Sequence, residues 1–214
     1  MSDLLIAPAY AEIAALKRHF QLLNGSPEML EFLMSPGVTG AGLQTLLASP
    51  VKLTQFQQFL ASPVGAVSLA ASSTAMSAVA ASSTAMSAVI ASSTAMSAVL
   101  NSATARKLVY DSNTAWNAVV GSDTAKAALL ASSTEHSTNS TSQVYPTGSS
   151  AGVRAVLVQQ RSSDGQTSYA DSPSAGSYST NSTSYIDRYA RMTGLKHRTS
   201  NSGYTSYIKY IIME

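Results

Sequence analysis

Apolar positions recur every ten residues through the middle of this chain. Met76, Val79 and Ala80 return as Met86, Val89 and Ile90, and again as Met96, Val99 and Leu100. Each set is carried by the phrase Ala-Ser-Ser-Thr-Ala-Met-Ser-Ala-Val, written at 71–79, 81–89 and 91–99. The phrase then decays through 102–109, 112–119 and 122–129. A spacing of i, i+3, i+4 marks one face of an α-helix. Helices of about two turns do not stand alone in water, because isolated helices need ~12–15 residues even to be marginal. Each unit must therefore stack on its neighbours or on another subunit, as repeat arrays do.

The start of each unit is marked by serine. Ser-Pro occurs at 26–27, 35–36, 49–50 and 62–63, and these serines align with Ser72, Ser82, Ser92, Ser102, Ser112, Ser122 and Ser132. Serine is a preferred N-cap, and proline is favoured at the first helical position directly after it. Each serine is thus expected to open a new short helix. The rival geometry is one continuous helix, whose ten residues per three turns would demand strong supercoiling. The Ser-Pro equivalences argue against it.

Outside the repeats the pattern changes. Ala11 to Leu23 reads as an amphipathic helix ended by Asn24-Gly25. Residues 131–143 are mostly Ser and Thr without apolar period, and read as a linker. Beyond them Val153–Gln159, Ser184–Met192, Leu195–Thr199 and Tyr204–Met213 are strand-like, with turn signals at Asp164-Gly165 and Asn201-Ser202-Gly203. The expected fold class is α+β. A helical anchor region spans 1–61, a spacer of short stacked helices 62–130, a linker 131–143 and a small antiparallel β domain 144–214.

Charge sharpens the picture. The net charge is +2, and only 11% of residues are charged, against ~25% in ordinary domains. No charged residue lies between Lys52 and Arg106. Soluble surfaces carry mixed charge, so this stretch is expected to be covered, most simply by other copies of the chain in a homotrimer. No run of ~18 apolar residues exists, so no membrane span is expected. The N-terminus lacks the basic start and apolar run of a secretory signal. There is no cysteine, which removes disulfides and thiolate metal sites.

Candidate chemistry is sparse. His19, His136 and His197 have no second ligand at metal spacing. Asp164, Asp171 and Asp187 are the carboxylates a glycan-cleaving pair would draw on, but Asp164 reads as a turn residue and Asp171 precedes Ser-Pro. No phosphate loop or nucleophile elbow is present. The expectation is a protein that is not an enzyme and holds neither cofactor nor metal. Tyr185, Arg188, Tyr189, Arg191, Lys196 and Arg198 form a basic, aromatic stretch that is the candidate partner-binding site, suited to an anionic surface glycan or another acidic partner. Seven Lys/Arg against four Asp/Glu in 144–214 is too mild for a dedicated nucleic-acid binder. Trp116 replaces the repeat methionine and is expected to pack between units. The recurring threonines are expected to support the serine caps.

Decapeptide arrays of the ASSTAMSAV type resemble those of virion proteins in tailed bacteriophages, over roughly residues 62–130. A β module ending in an aromatic-rich strand such as YIKYIIM resembles the tips of phage fibres. The resemblance implies a virion structural protein, an accessory fibre or adaptor. Its N-terminal region would dock on other virion proteins and its C-terminal β domain would face outward. The alternative is a bacterial surface adhesin or stalk. The lack of a signal peptide favours the virion.

Overall fold

The computed structural model describes residues 27–33, 35, 37–163 and 166–213. The helix expected over Ala11–Leu23, His19 and the Asp164-Gly165 turn lie outside the described residues. The chain divides into two compact units, one up to Thr124 and one from Ala125. Its class is α+β.

Among the described residues the first unit is a succession of short helices: α1 (Pro27–Leu33), α2 (Gly40–Leu46), α3 (Pro50–Ala61), α4 (Pro63–Ala71), α5 (Ser73–Ala81), α6 (Ser83–Ala91), α7 (Ser93–Asn101), α8 (Ala103–Asp111) and α9 (Asn113–Val120). A further helix, α10, spans Asp123–Ala131. The continuous-helix alternative is excluded. The axis turns by 94° between α4 and α5 and by 101° between α6 and α7.

Serine makes each corner. Ser72, Ser82, Ser92, Ser102 and Ser112 hold extended φ/ψ, and each side chain accepts from the backbone N–H three residues on. Each also ends the preceding helix, since the Ser82 N–H donates to Val79 O and the Ser92 N–H to Val89 O. Pro50 and Pro63 occupy first helical positions after Ser49 and Ser62, as expected. The Ser35-Pro36 equivalence fails. Ser35 sits in a bend, and α2 starts at Gly40 with Thr39 as its cap. The long step of fourteen residues from Ser35 to Ser49 leaves room for that displaced start. The threonine expectation also fails, because at Ser72, Ser82, Ser92, Ser102 and Ser112 the serine hydroxyl makes the cap bond by itself. Thr84 is bound only because Gln44 reaches it.

Through the repeats, helices pack against the one three units later: α2 on α5, α4 on α7, α5 on α8 and α6 on α9. Three units therefore complete one turn of the coil. The same serines tie successive turns together. Ser92 Oγ donates to Leu60 O (3.1 Å), Ser102 Oγ to Ala70 O (2.7 Å) and Ser112 Oγ to Ala80 O (2.5 Å). Helix C-termini leave carbonyls without intrahelical partners, and the cap of a later turn satisfies them. Inside the coil lie the expected Met76, Val79 and Ala80 with their equivalents, all buried. Trp116 is buried as well. The residue that reading by side-chain size passed over is the alanine before the methionine. Ala75, Ala85, Ala95, Ala105, Ala115 and Ala125 are at most 1% exposed.

The repeats begin on an irregular foundation. Ser82 Oγ donates to Gln44 Oε1 (2.7 Å), which also accepts from the Thr84 N–H, while Gln44 Nε2 donates to Thr84 Oγ1. Gly40 permits this approach, because a Cβ there would overlap that of Ala81.

Among its described residues the second unit holds seven strands: β1 (Thr134–Thr138), β2 (Arg154–Ser162), β3 (Ser168–Ser172), β4 (Gly176–Thr180), β5 (Ile186–Thr193), β6 (Lys196–Thr199) and β7 (Ser206–Ile212). They form an antiparallel sheet of order β1-β7-β2-β5 and a second of order β4-β3-β6. The core joins Leu157, Met192, Ile208 and Tyr210 to Ala170 and Leu195. The strand β1 corrects the linker reading of 131–143. Thr134–Thr138 pairs residue for residue with Tyr210–Ser206. Its side chains are polar because it is an edge strand, and backbone pairing needs no apolar period.

Candidate functional site

The six residues of the candidate partner surface do not share one place. Between Asp187 and Ala190 the strand β5 carries one residue more than β2 carries between Gln159 and Leu157. This bulge puts Tyr189 at φ 45°, a left-handed conformation that is uncommon for a bulky residue. The tyrosine ring meets Lys126 Nζ, 5.9 Å from its centroid. The Arg188 guanidinium turns inward, donating to Ser179 O (2.7 Å) and Gln160 Oε1 (3.3 Å). Arg191 is half-buried on β5. Tyr185 joins a different group: its hydroxyl bonds Glu135, and its ring lies under Arg161 (5.0 Å) and Lys209 (4.5 Å). Burial first, then the bond to Glu135, raises its pKa above the ordinary tyrosine value. Arg161 also lies 3.7 Å from the centroid of Tyr207.

Lys196 and Arg198 do converge, and they bring unforeseen partners. Both stand on β6, two residues apart and on one face of it. The Arg198 Nε donates to Asp171 Oδ2 at 3.1 Å, and its guanidinium lies 3.9 Å over Tyr169. Gln143 Nε2 donates to the same oxygen (3.1 Å), while Gln143 Oε1 accepts from Lys196 Nζ (3.3 Å). The Lys196 ammonium rests 5.3 Å over the ring of Tyr145. A continuous polar relay results: lysine, amide, carboxylate, guanidinium, with a tyrosine face under each cation. Beside it opens a cleft of about 350 Å³, lined by Gln143, Asp171, Ser172, Pro173, Gly176, Ser177 and Lys196. Asp171 was legible only as the residue before Ser-Pro. Its pairing with Arg198 follows from the β3–β6 ladder, which short-range pattern does not reveal.

Two of the three histidines also meet. His136 on β1 and His197 on β6 share a hydrogen bond, Nδ1 to Nδ1, of 2.9 Å. His197 Nε2 lies 2.8 Å from Ser206 Oγ. Burial, with the His136 charge adding to it and Asp171 opposing, pushes His197 down to about 3. Burial lowers His136 also. Near pH 7 both rings are neutral, so one donates and the other accepts. A serine beside a histidine is the start of a nucleophile relay, but Ser206 and His197 are fully buried and no substrate reaches them. Their work is to join β1, β6 and β7. Among the described residues no three His, Asp or Glu side chains gather at metal-binding distance. No single described helix is long and apolar enough to cross a membrane.

No family model matches the chain, and no curated protein matches it.

Proposed function

We propose that this chain is a structural component of a bacteriophage virion, an accessory fibre or fibre adaptor that assembles as a homotrimer. Residues 1–61 dock on the particle, the decapeptide coil sets distance, and the β unit faces outward to meet a host-surface glycan. The observation that carries the reading is the self-registering coil. Each later unit repeats the same serine-to-carbonyl bond one turn back, so length is added without new chemistry. A spacer needs that property. The outward positions of the perfect units, among them Ser73, Ser77, Ser83 and Ser87, are exposed and uncharged, which fits lateral contact between copies.

The test is location. Gold-labelled antibody against residues 144–213 is expected to decorate purified particles from a culture expressing the chain, and light scattering is expected to give three times the chain mass. Label confined to cell surfaces in a particle-free culture would instead establish the bacterial stalk. A well-folded monomer at micromolar concentration would remove the trimer.

A further inference from the structure

The cleft beside the Lys196–Gln143–Asp171–Arg198 relay has the lining of a ligand site. Its volume, about 350 Å³, stands at the small end of the ~300–1,000 Å³ typical of such sites. The walls are an amide, a carboxylate, two serines and an ammonium, with Pro173 the one bulky apolar group. Such a lining selects a ligand rich in hydroxyls. At the Gly176 corner the cleft is open, since a Cβ there would meet nothing within 4 Å.

Charge then narrows the class. Asp171 is matched by Arg198. Among the described residues the ammonium of Lys196 has only the neutral Gln143 amide oxygen as hydrogen-bond partner, so the rim carries one uncompensated positive charge. Both hydrogen bonds to Asp171 fall on Oδ2. Its Oδ1 takes no hydrogen bond among the described residues, on a carboxylate that is only 8% exposed but lines the cleft, and is left to accept from a ligand. The hydroxyl of Ser177, on exposed backbone opposite Asp171 in the β3–β4 ladder, is likewise uncommitted. A ligand must therefore offer one negative charge to Lys196 and, a few ångströms away, hydroxyl donors to Asp171. A phosphate dianion suits this poorly, because the open carboxylate oxygen repels it. A nucleic-acid backbone needs several cations in a row. We propose that the cleft binds a carboxylated sugar residue of a surface polysaccharide. The sugar carboxylate sits on Lys196 Nζ, and its hydroxyls bond Asp171 Oδ1, Ser177 and Gln143. This deepens the glycan-facing role given to the β unit and does not depend on whether a virion carries the chain.

The test uses the full chain, ¹⁵N-labelled, titrated with methyl glucuronide, methyl glucoside and acetate. Methyl glucuronide is expected to give saturable amide shifts around Gln143, Asp171, Ser177 and Lys196. The neutral glucoside and acetate each bind at least about tenfold more weakly, the scale of one charged hydrogen bond lost. Lys196→Gln, on the surface of β6, is expected to bring the glucuronide down to the affinity of the glucoside while the remaining spectrum is unchanged. Lys209→Gln removes a charge outside the cleft and is expected to bind as the parent does. No saturable shift with glucuronide overturns the assignment, as does equal binding of acetate, or a Lys196→Gln chain that binds glucuronide undiminished. Because the ligand is added to purified protein, failure here leaves the particle-labelling result standing, and the reverse.

Discussion

The helical coil and the β unit bury their backbones by opposite strategies. In the coil one contact is used again and again. A serine caps its own helix and donates to a carbonyl 32 residues back, at Ser92, Ser102 and Ser112 alike. In the β unit only a local turn recurs, at Thr138–Ser142 and Thr180–Ser184, and the long-range contacts differ from one another. Tyr210 donates to Thr147 O, His136 meets His197, and Arg198 holds Asp171, each once and across separations of 27 to 63 residues. The two regions therefore differ in what they can lose. A unit of the coil has a substitute in the next unit, whereas a residue of the β unit has none.

The sharpest way to break the coil is at a corner. The Ser82 N–H donates to Val79 O, and its φ is −108°. Proline satisfies neither condition, so Ser82→Pro should cost about 3 kcal/mol or more. Ser83→Pro, one residue on, recreates Ser62-Pro63 at a first helical position and should change stability by less than about 1 kcal/mol. Urea unfolding followed by helical circular dichroism compares the two. A larger loss from Ser83→Pro than from Ser82→Pro sinks the assigned register.

The β unit should instead answer to acid. His197 has a folded pKa of about 3, below its ordinary 6.5. The unfolded chain therefore takes up a proton that the folded one refuses. The stabilisation is full above pH 6.5 and declines as pH falls toward 3. Below pH 6 the slope from this residue approaches about 1.4 kcal/mol per pH unit. His136, lowered in the same direction, adds to it. Urea midpoints of the β unit at pH 7.5 and 5.0, read by tyrosine signals, measure the effect, and His197→Asn should flatten it. The coil interior between Lys52 and Arg106 has no titrating group and should respond less. Equal acid sensitivity of both regions would end the contrast.

A smaller effect separates two caps. Ser92→Ala removes both the cap of α7 and the bond to Leu60 O and should cost about 1–2 kcal/mol. At Ser62 the cap bond is long, 3.5 Å, and among the described residues no hydroxyl bond to an earlier carbonyl accompanies it. Ser62→Ala should cost less than half as much in the same assay. Equal costs would show that the inter-turn bond contributes nothing.

The smallest change is expected from the largest edit. Deleting residues 81–90 brings Ser92 and Thr94 to the places of Ser82 and Thr84 before Gln44, and every later bond re-forms one unit down. The chain should fold with a loss below about 1 kcal/mol and shorten by one unit, as small-angle scattering would read. Unfolding would mean that the units are not interchangeable.

Much of this molecule was written locally. The ten-residue period, the serine at each corner, the proline after it and the buried face of Met76, Val79 and Ala80 all follow from spacing and from capping chemistry acting within one helix. So do the approximate places of β2, β5, β6 and β7. The three-unit turn was not legible, because which helix a serine reaches depends on the angle at each corner, 94° or 101°, and no residue type encodes that angle. Nor were β1 and the pairing of Asp171 with Arg198 legible. Edge-strand pairing runs through backbone groups that every residue has, and the cleft exists only because Gln143, Asp171 and Lys196 are brought together across 53 residues of chain. Local chemistry determined where the helices begin and which side they bury. Tertiary structure decided what they are buried against, because a contact between distant residues is selected by the shape of the whole unit.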